Sequence, residues 1–179
     1  MTGQTEFDER FDDSVLDPAV WTTSYLPAWS SRAAAAAAYS VEKDGLHLTI
    51  PADHPLWCPD LHPTPLRVSA VQTGNWSGPV GSTQGQQPFK DGLIVCEEQP
   101  TVLGYTPHHG HVEVTCSARI PPWSMFSAWM VGIEDRPGRC GEICLVEVFG
   151  DTLHGDRAAV GSGIHRFRDP DLVEEFSAE

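Results

Sequence analysis

Apolar and polar residues alternate in short runs along this chain, and Gly, Pro, Asn or Asp interrupts most runs before a helix could complete two turns. Residues 41–50 read Val-Glu-Lys-Asp-Gly-Leu-His-Leu-Thr-Ile, which sets Leu46, Leu48 and Ile50 on one side of an extended backbone. Period-two alternation marks a half-buried strand, and Asp44-Gly45 is a hairpin-turn signal, so the stretch predicts a β-hairpin with His47 facing solvent. Residues 66–74, 91–96 and 123–132 carry further strand patterns. The alanine run 33–38 has high helix propensity but is under two turns long, so it predicts a loop or a small-residue strand. Residues 51–65 hold five prolines without periodicity and predict a long loop, in which Trp57 is a candidate substrate-facing side chain. Asp169-Pro170 has a helix-start pattern.

Residues 141–150, Gly-Glu-Ile-Cys-Leu-Val-Glu-Val-Phe-Gly, are the run on which the chemistry turns. Ile143, Leu145, Val146, Val148 and Phe149 are strand formers, and glycines bound them. In a regular strand Glu142 and Cys144 share one face and Glu147 falls on the other. One extra residue, a β-bulge at Leu145-Val146, brings Glu147 round to the face of Glu142 and Cys144. Two carboxyl groups ~5–5.5 Å apart on one face are what a retaining glycosidase uses as nucleophile and acid/base. The pattern alone also fits two glutamates on the solvent face of a sandwich strand.

Length and composition narrow the field. The 179 residues suit one domain, and 15 Pro with 16 Gly fit many short strands joined by turns. The net charge of −14, from 11 basic and 25 acidic residues, disfavours nucleic acid and anionic membrane as partners. A neutral polysaccharide is compatible with it. No run is long and apolar enough to span a bilayer, and the first residues lack the pattern of a signal peptide. As written, the chain is expected to be cytoplasmic, processed, or exported by another route. Its five cysteines are odd in number and none forms a C-x-x-C pair. Cys140 and Cys144 on one extended strand would lie ~13 Å apart, too far for a disulfide. Reduced, mostly buried cysteines are expected.

Glu142-Ile143-Cys144-Leu145-Val146-Glu147 resembles the Glu-x-Asp-x-x-Glu signature of glycoside hydrolase family 16, the laminarinases, lichenases and their relatives. The resemblance implies an all-β jelly-roll sandwich of two antiparallel sheets, with Glu142 as nucleophile and Glu147 as acid/base. Cys144 stands where the family has Asp, and a thiol is a weak donor, mostly neutral at pH 7. Phe7, Phe11, Asp12, Asp13, Leu16, Asp17, Pro18 and Trp21 resemble the entry of concanavalin-like glucanases. Gly110, Glu113, Ala118, Ile120 and Pro121 fit a further family strand, with His111 replacing its Arg. Trp129 matches the second Trp of the family's Trp-Pro-Ala-x-Trp strand, and Met125 takes the place of the first. His165 falls where a family His faces the active site and would hydrogen-bond a sugar hydroxyl or Glu147.

With Trp123, these residues form the expected substrate-binding set. Trp76 is a further candidate, either stacking on a sugar with Gln72 and Asn75 donating hydrogen bonds, or covering the sandwich edge. The resemblance covers residues 7–167, and the family continues with more strands, so a jelly roll shortened at its C-terminus is expected, open to self-association at a sheet edge. No cofactor is implied, and no site is evident for the structural Ca²⁺ of many relatives. The implied activity is retaining hydrolysis of β-1,3-linked glucan or a related polysaccharide. The alternatives are a non-catalytic carbohydrate-binding protein on the same scaffold and a structural interaction module.

Overall fold

A computed structural model describes residues 6–179. Every strand pairs antiparallel, and the helical elements among the described residues are three single turns of 3-10 helix, Pro27–Trp29, Pro137–Arg139 and Gly150–Thr152. The all-β class expected from the alternation is therefore the class observed. Among the described residues, no helix is long and apolar enough to cross a membrane. The chain forms two compact units that divide after His108.

In the first unit, β1 (Ala38–Glu42) and β2 (Gly45–Thr49) form the expected hairpin. Glu42 pairs with Gly45, so the two-residue loop is Lys43-Asp44, one position earlier than the Asp44-Gly45 signal implies. Gly45 instead opens β2 at φ +129°, a conformation L side chains rarely adopt. His47 is partly exposed and bonds back to Asp44 at 2.8 Å. Two short strands, β3 (Gly74–Asn75) and β4 (Val102–Leu103), form a second ladder.

The core of this unit gathers Leu26, Ala28, Trp29, Ala35, Trp57, Cys58, Leu93 and Val95. Both indoles are satisfied as burial requires, Trp29 Nε1 donating to the Gln86 carbonyl at 2.8 Å and Trp57 Nε1 to that of Tyr25 at 3.0 Å. Residues 51–65 are irregular as expected, but Trp57 is only 4% exposed, packed among Tyr25, His62 and Phe89. It is a core residue and not a substrate-facing one. Residues 66–71 are not a regular strand. Their polar groups are taken one at a time, the Leu66 carbonyl by Trp57 N–H and the Ser69 hydroxyl by the backbone of Ala38.

The second unit is built on a four-stranded meander, β5 (Met125–Val131), β6 (Glu142–Phe149), β7 (Gly161–His165) and β8 (Glu175–Ala178), in that spatial order. Two expectations fail here. Residues 110–121 alternate in sequence yet enter no ladder, and Val112 and Val114 are exposed. The Asp169-Pro170 segment begins no helix. Asp169 is buried and its Oδ1 accepts the Asp171 N–H at 3.0 Å, a local turn that competes with helix initiation, and the chain then extends into β8. None of the five cysteines forms a disulfide. Cys58, Cys140 and Cys144 are buried, whereas Cys96 and Cys116 are exposed.

Candidate active site

The site is set by the register of β6 against both neighbours. On β5, Trp129 pairs with Cys144, Ala128 with Val146 and Ser127 with Glu147, so Leu145 is an extra residue without an opposite number. On β7, Gly163 pairs with Cys144 and Gly161 with Glu147, again two steps against three. The bulge expected at Leu145-Val146 is thus present in both ladders. Directly paired residues point to the same side of a sheet. Glu142, Cys144 and Glu147 therefore share one face with Val131, Trp129 and Ser127 of β5 and with His165, Gly163 and Gly161 of β7. The opposite face carries Phe126, Ala128 and Met130 against Val148, Val146 and Ile143. That apolar set makes the strand legible in sequence despite its two glutamates.

Glycines keep β7 close to its neighbours. Gly163 has φ +139°, and a Cβ there would collide with the backbone of Glu175 and Phe176. A Cβ on Gly161 would come within 2.5 Å of the Phe176 ring and 3.4 Å of Glu147 Cβ. The Phe176 ring lies over β7 and stacks on His165, with centroids 4.4 Å apart and planes 24° from parallel.

Electrostatics distinguish the groups on this face. Burial pushes the Glu142 carboxyl up to about 7; His165 opposes that rise, while Glu147, Glu134 and Glu174 add to it as like charges. Cys144 is 3% exposed, and burial, then Glu147 and Glu142, hold its thiol above the usual range. The thiol is therefore neutral at pH 7 and supplies no charge to either carboxylate.

Two further acidic residues, neither marked by a motif, stand beside the pair. Glu134, in the turn between β5 and β6, takes φ +62° and donates its N–H to the Arg139 carbonyl at 2.7 Å. Its side chain is 2% exposed and pairs with Arg168 Nη2 at 3.1 Å, which joins that turn to the β7–β8 connection. Glu174 binds His165 Nδ1 at 2.7 Å. Sequence pattern offers no signal for either: Glu134 lies in a turn, and Glu174 lies in a segment with a helix-start pattern.

The face thus unites five of the seven expected site residues: Glu142, Cys144, Glu147, Trp129 and His165. Trp123 precedes β5 and is 87% exposed. Trp76 belongs to the first unit, half-buried, with its N–H on Gln86 Oε1 at 3.2 Å. The polar groups expected to assist it are engaged internally, Asn75 with Gln99 and Gln72 with the Gly74 carbonyl.

An antiparallel all-β chain of this kind is consistent with a jelly-roll β-sandwich fold. No protein-family model matches the sequence, and no curated protein matches it significantly. Among solved structures, the GlcNAcα1-4Gal releasing endo-β-galactosidase from Clostridium perfringens is similar, with a TM-score of 0.68 and 24% identity. The match covers 97% of this chain and 42% of that one, so the chain spans less than half the length of that enzyme. The likeness is one of fold.

Proposed function

We propose that this protein is a family 16-like retaining glycoside hydrolase, with Glu142 as nucleophile and Glu147 as acid/base. The observation that carries the reading is the bulge at Leu145, which turns Glu147 onto the face of Glu142 beside Trp129 and His165. In the first step Glu147 protonates the leaving oxygen while a Glu142 oxygen attacks the anomeric carbon. In the second, Glu147 takes a proton from water, whose oxygen displaces Glu142 from the glycosyl-enzyme. The indole of Trp129 offers an apolar face for a sugar ring, and Trp123 extends the apolar surface before β5. The substrate class is a neutral β-linked polysaccharide. β-1,3-glucan follows from the sequence resemblance, and β-galactan from the substrate that gives the similar endo-β-galactosidase its name. The whole chain acts as one domain in this reading, and it needs no cofactor.

Reducing-sugar release from a panel of β-glucans and β-galactans tests the reading. Turnover on at least one polymer, lost in Glu142→Gln, supports it; no turnover on any polymer removes it. A second reading, sugar binding without hydrolysis, is favoured by Cys144, whose neutral thiol stands where an acid would orient the nucleophile. Affinity electrophoresis of the wild type in polymers it fails to cleave separates the two.

A further inference from the structure

Glu174 immediately precedes β8, and both of its oxygens converge on the end of β7. Oε1 lies 2.7 Å from His165 Nδ1, and Oε2 accepts the Arg166 N–H at 2.8 Å. The Arg166 N–H, followed by the His165 contact, holds this carboxyl below its ordinary pKa, so it is ionised at neutral pH. An ionised carboxylate only accepts hydrogen bonds, so the Nδ1 facing it must carry the hydrogen. The ring has little freedom to turn away, because Phe176 stacks on it at 4.4 Å and Phe167 packs against it at 5.8 Å. Nε2 is then the nitrogen left for other work. Directly across the ladder from His165 is Glu142.

We propose that Glu174 is a positioning residue, holding the Nδ1–H of His165 so that the ring, once doubly protonated, serves as the counter-charge to Glu142. The inference rests on the reading of Glu142 as nucleophile, since a nucleophilic carboxylate must be ionised. The groups around Glu142 make the need plain. Cys144 and Glu147 share its strand, Glu174 stands before β8, and Glu134 sits in the β5–β6 turn with Arg168 as its partner. The His165 imidazole favours the ionised form of Glu142, against burial and three like charges. Its action on the nucleophile is electrostatic, across the sheet, where the thiol of Cys144 brings no charge.

Nitrogen-15 NMR of the full chain reads the His165 tautomer without any substrate. At a pH where the ring is neutral, the wild type is expected to show Nδ1–H, and Glu174→Gln to shift the ring toward Nε2–H, the form a free imidazole prefers. In His165→Gln, the Glu142 carboxyl, followed by its side-chain carbon-13 shift, is expected to titrate about one pH unit higher, the size of effect lost with one nearby opposite charge. An Nε2–H ring in the wild type, an unchanged tautomer in Glu174→Gln, or an unmoved Glu142 midpoint in His165→Gln would overturn the proposal. The wild-type spectrum decides the matter even where a variant does not fold. If the wild type cleaves no polysaccharide but shows these titrations, the hydrolase reading fails and the clamp stands. If it cleaves with the opposite tautomer, the clamp fails and the hydrolase reading stands. In an active enzyme, Glu174→Gln should lower kcat about tenfold with KM within about twofold, because the interaction lost acts on the reacting carboxylate and not on substrate binding.

Discussion

As the proposed nucleophile, Glu142 meets two opposing demands. Burial raises its pKa to about 7, yet a nucleophile must be ionised. The activity of the wild type is therefore expected to rise with pH through about 7, as Glu142 loses its proton. A kcat/KM profile flat across that range would contradict the assignment. The same group links stability to pH with a definite sign. Its folded pKa lies above the ordinary 4.5, so between 4.5 and about 7 the folded state holds more proton than the unfolded state. Stability contributed by this group is full below 4.5 and is lost as pH rises through about 7. Urea midpoints should fall over that window in the wild type, and Glu142→Gln should flatten the fall. Glu147→Gln is expected to lower kcat by about 10²–10⁴, the range of a general acid/base, measured on whichever polymer the wild type cleaves.

At the scale of the element, β6 is a strand whose proposed function depends on one surplus residue. Deleting Leu145 alone would leave Glu142, Cys144 and Glu147 alternating on one face of a regular strand, whereas deleting Leu145 and Val146 together would send Glu147 to the face of Ile143. Hydrolysis is expected to vanish in the double deletion while β-sheet circular dichroism persists. Retained turnover in the double deletion would mean that a shared face for Glu142 and Glu147 does not organise the site. The strands β5 and β6 and the bulge itself are legible in sequence, because their apolar sets alternate and the two glutamates are spaced five apart, and β7 is legible through its resemblance to a family strand. Residues 66–71 and 110–121 show the limit of that logic. Alternation reports what a strand would bury, but a strand exists only where a partner ladder forms, and sequence does not name the partner. The failure at Asp169 has another cause, since its carboxylate can cap a helix or close a turn, and burial selects the turn. Glu174 and Glu134 are invisible in sequence for a related reason, as each gains its meaning from a contact made between strands or turns distant along the chain.

The whole molecule adds charge and packing to the account. A net charge of −14 sets the chain against polyanions, so sulfated or uronate-rich polysaccharides are expected to bind more weakly than neutral ones, with the gap narrowing as salt is added. Isothermal titration with matched neutral and sulfated polymers measures it. In the first unit, stability rests on large side chains in a small core, and Trp57→Ala should cost about 3–5 kcal/mol by urea unfolding. A loss below about 1 kcal/mol would place Trp57 outside the core and return it to the candidates for sugar binding. The account depends most on retaining chemistry at Glu142. Proton NMR of the earliest products from a cleaved β-linked polymer tests it directly, with Glu142→Gln run alongside. The first anomer formed is predicted to be β, with no product from the variant. An α anomer formed first, or turnover undiminished in Glu142→Gln, would contradict it.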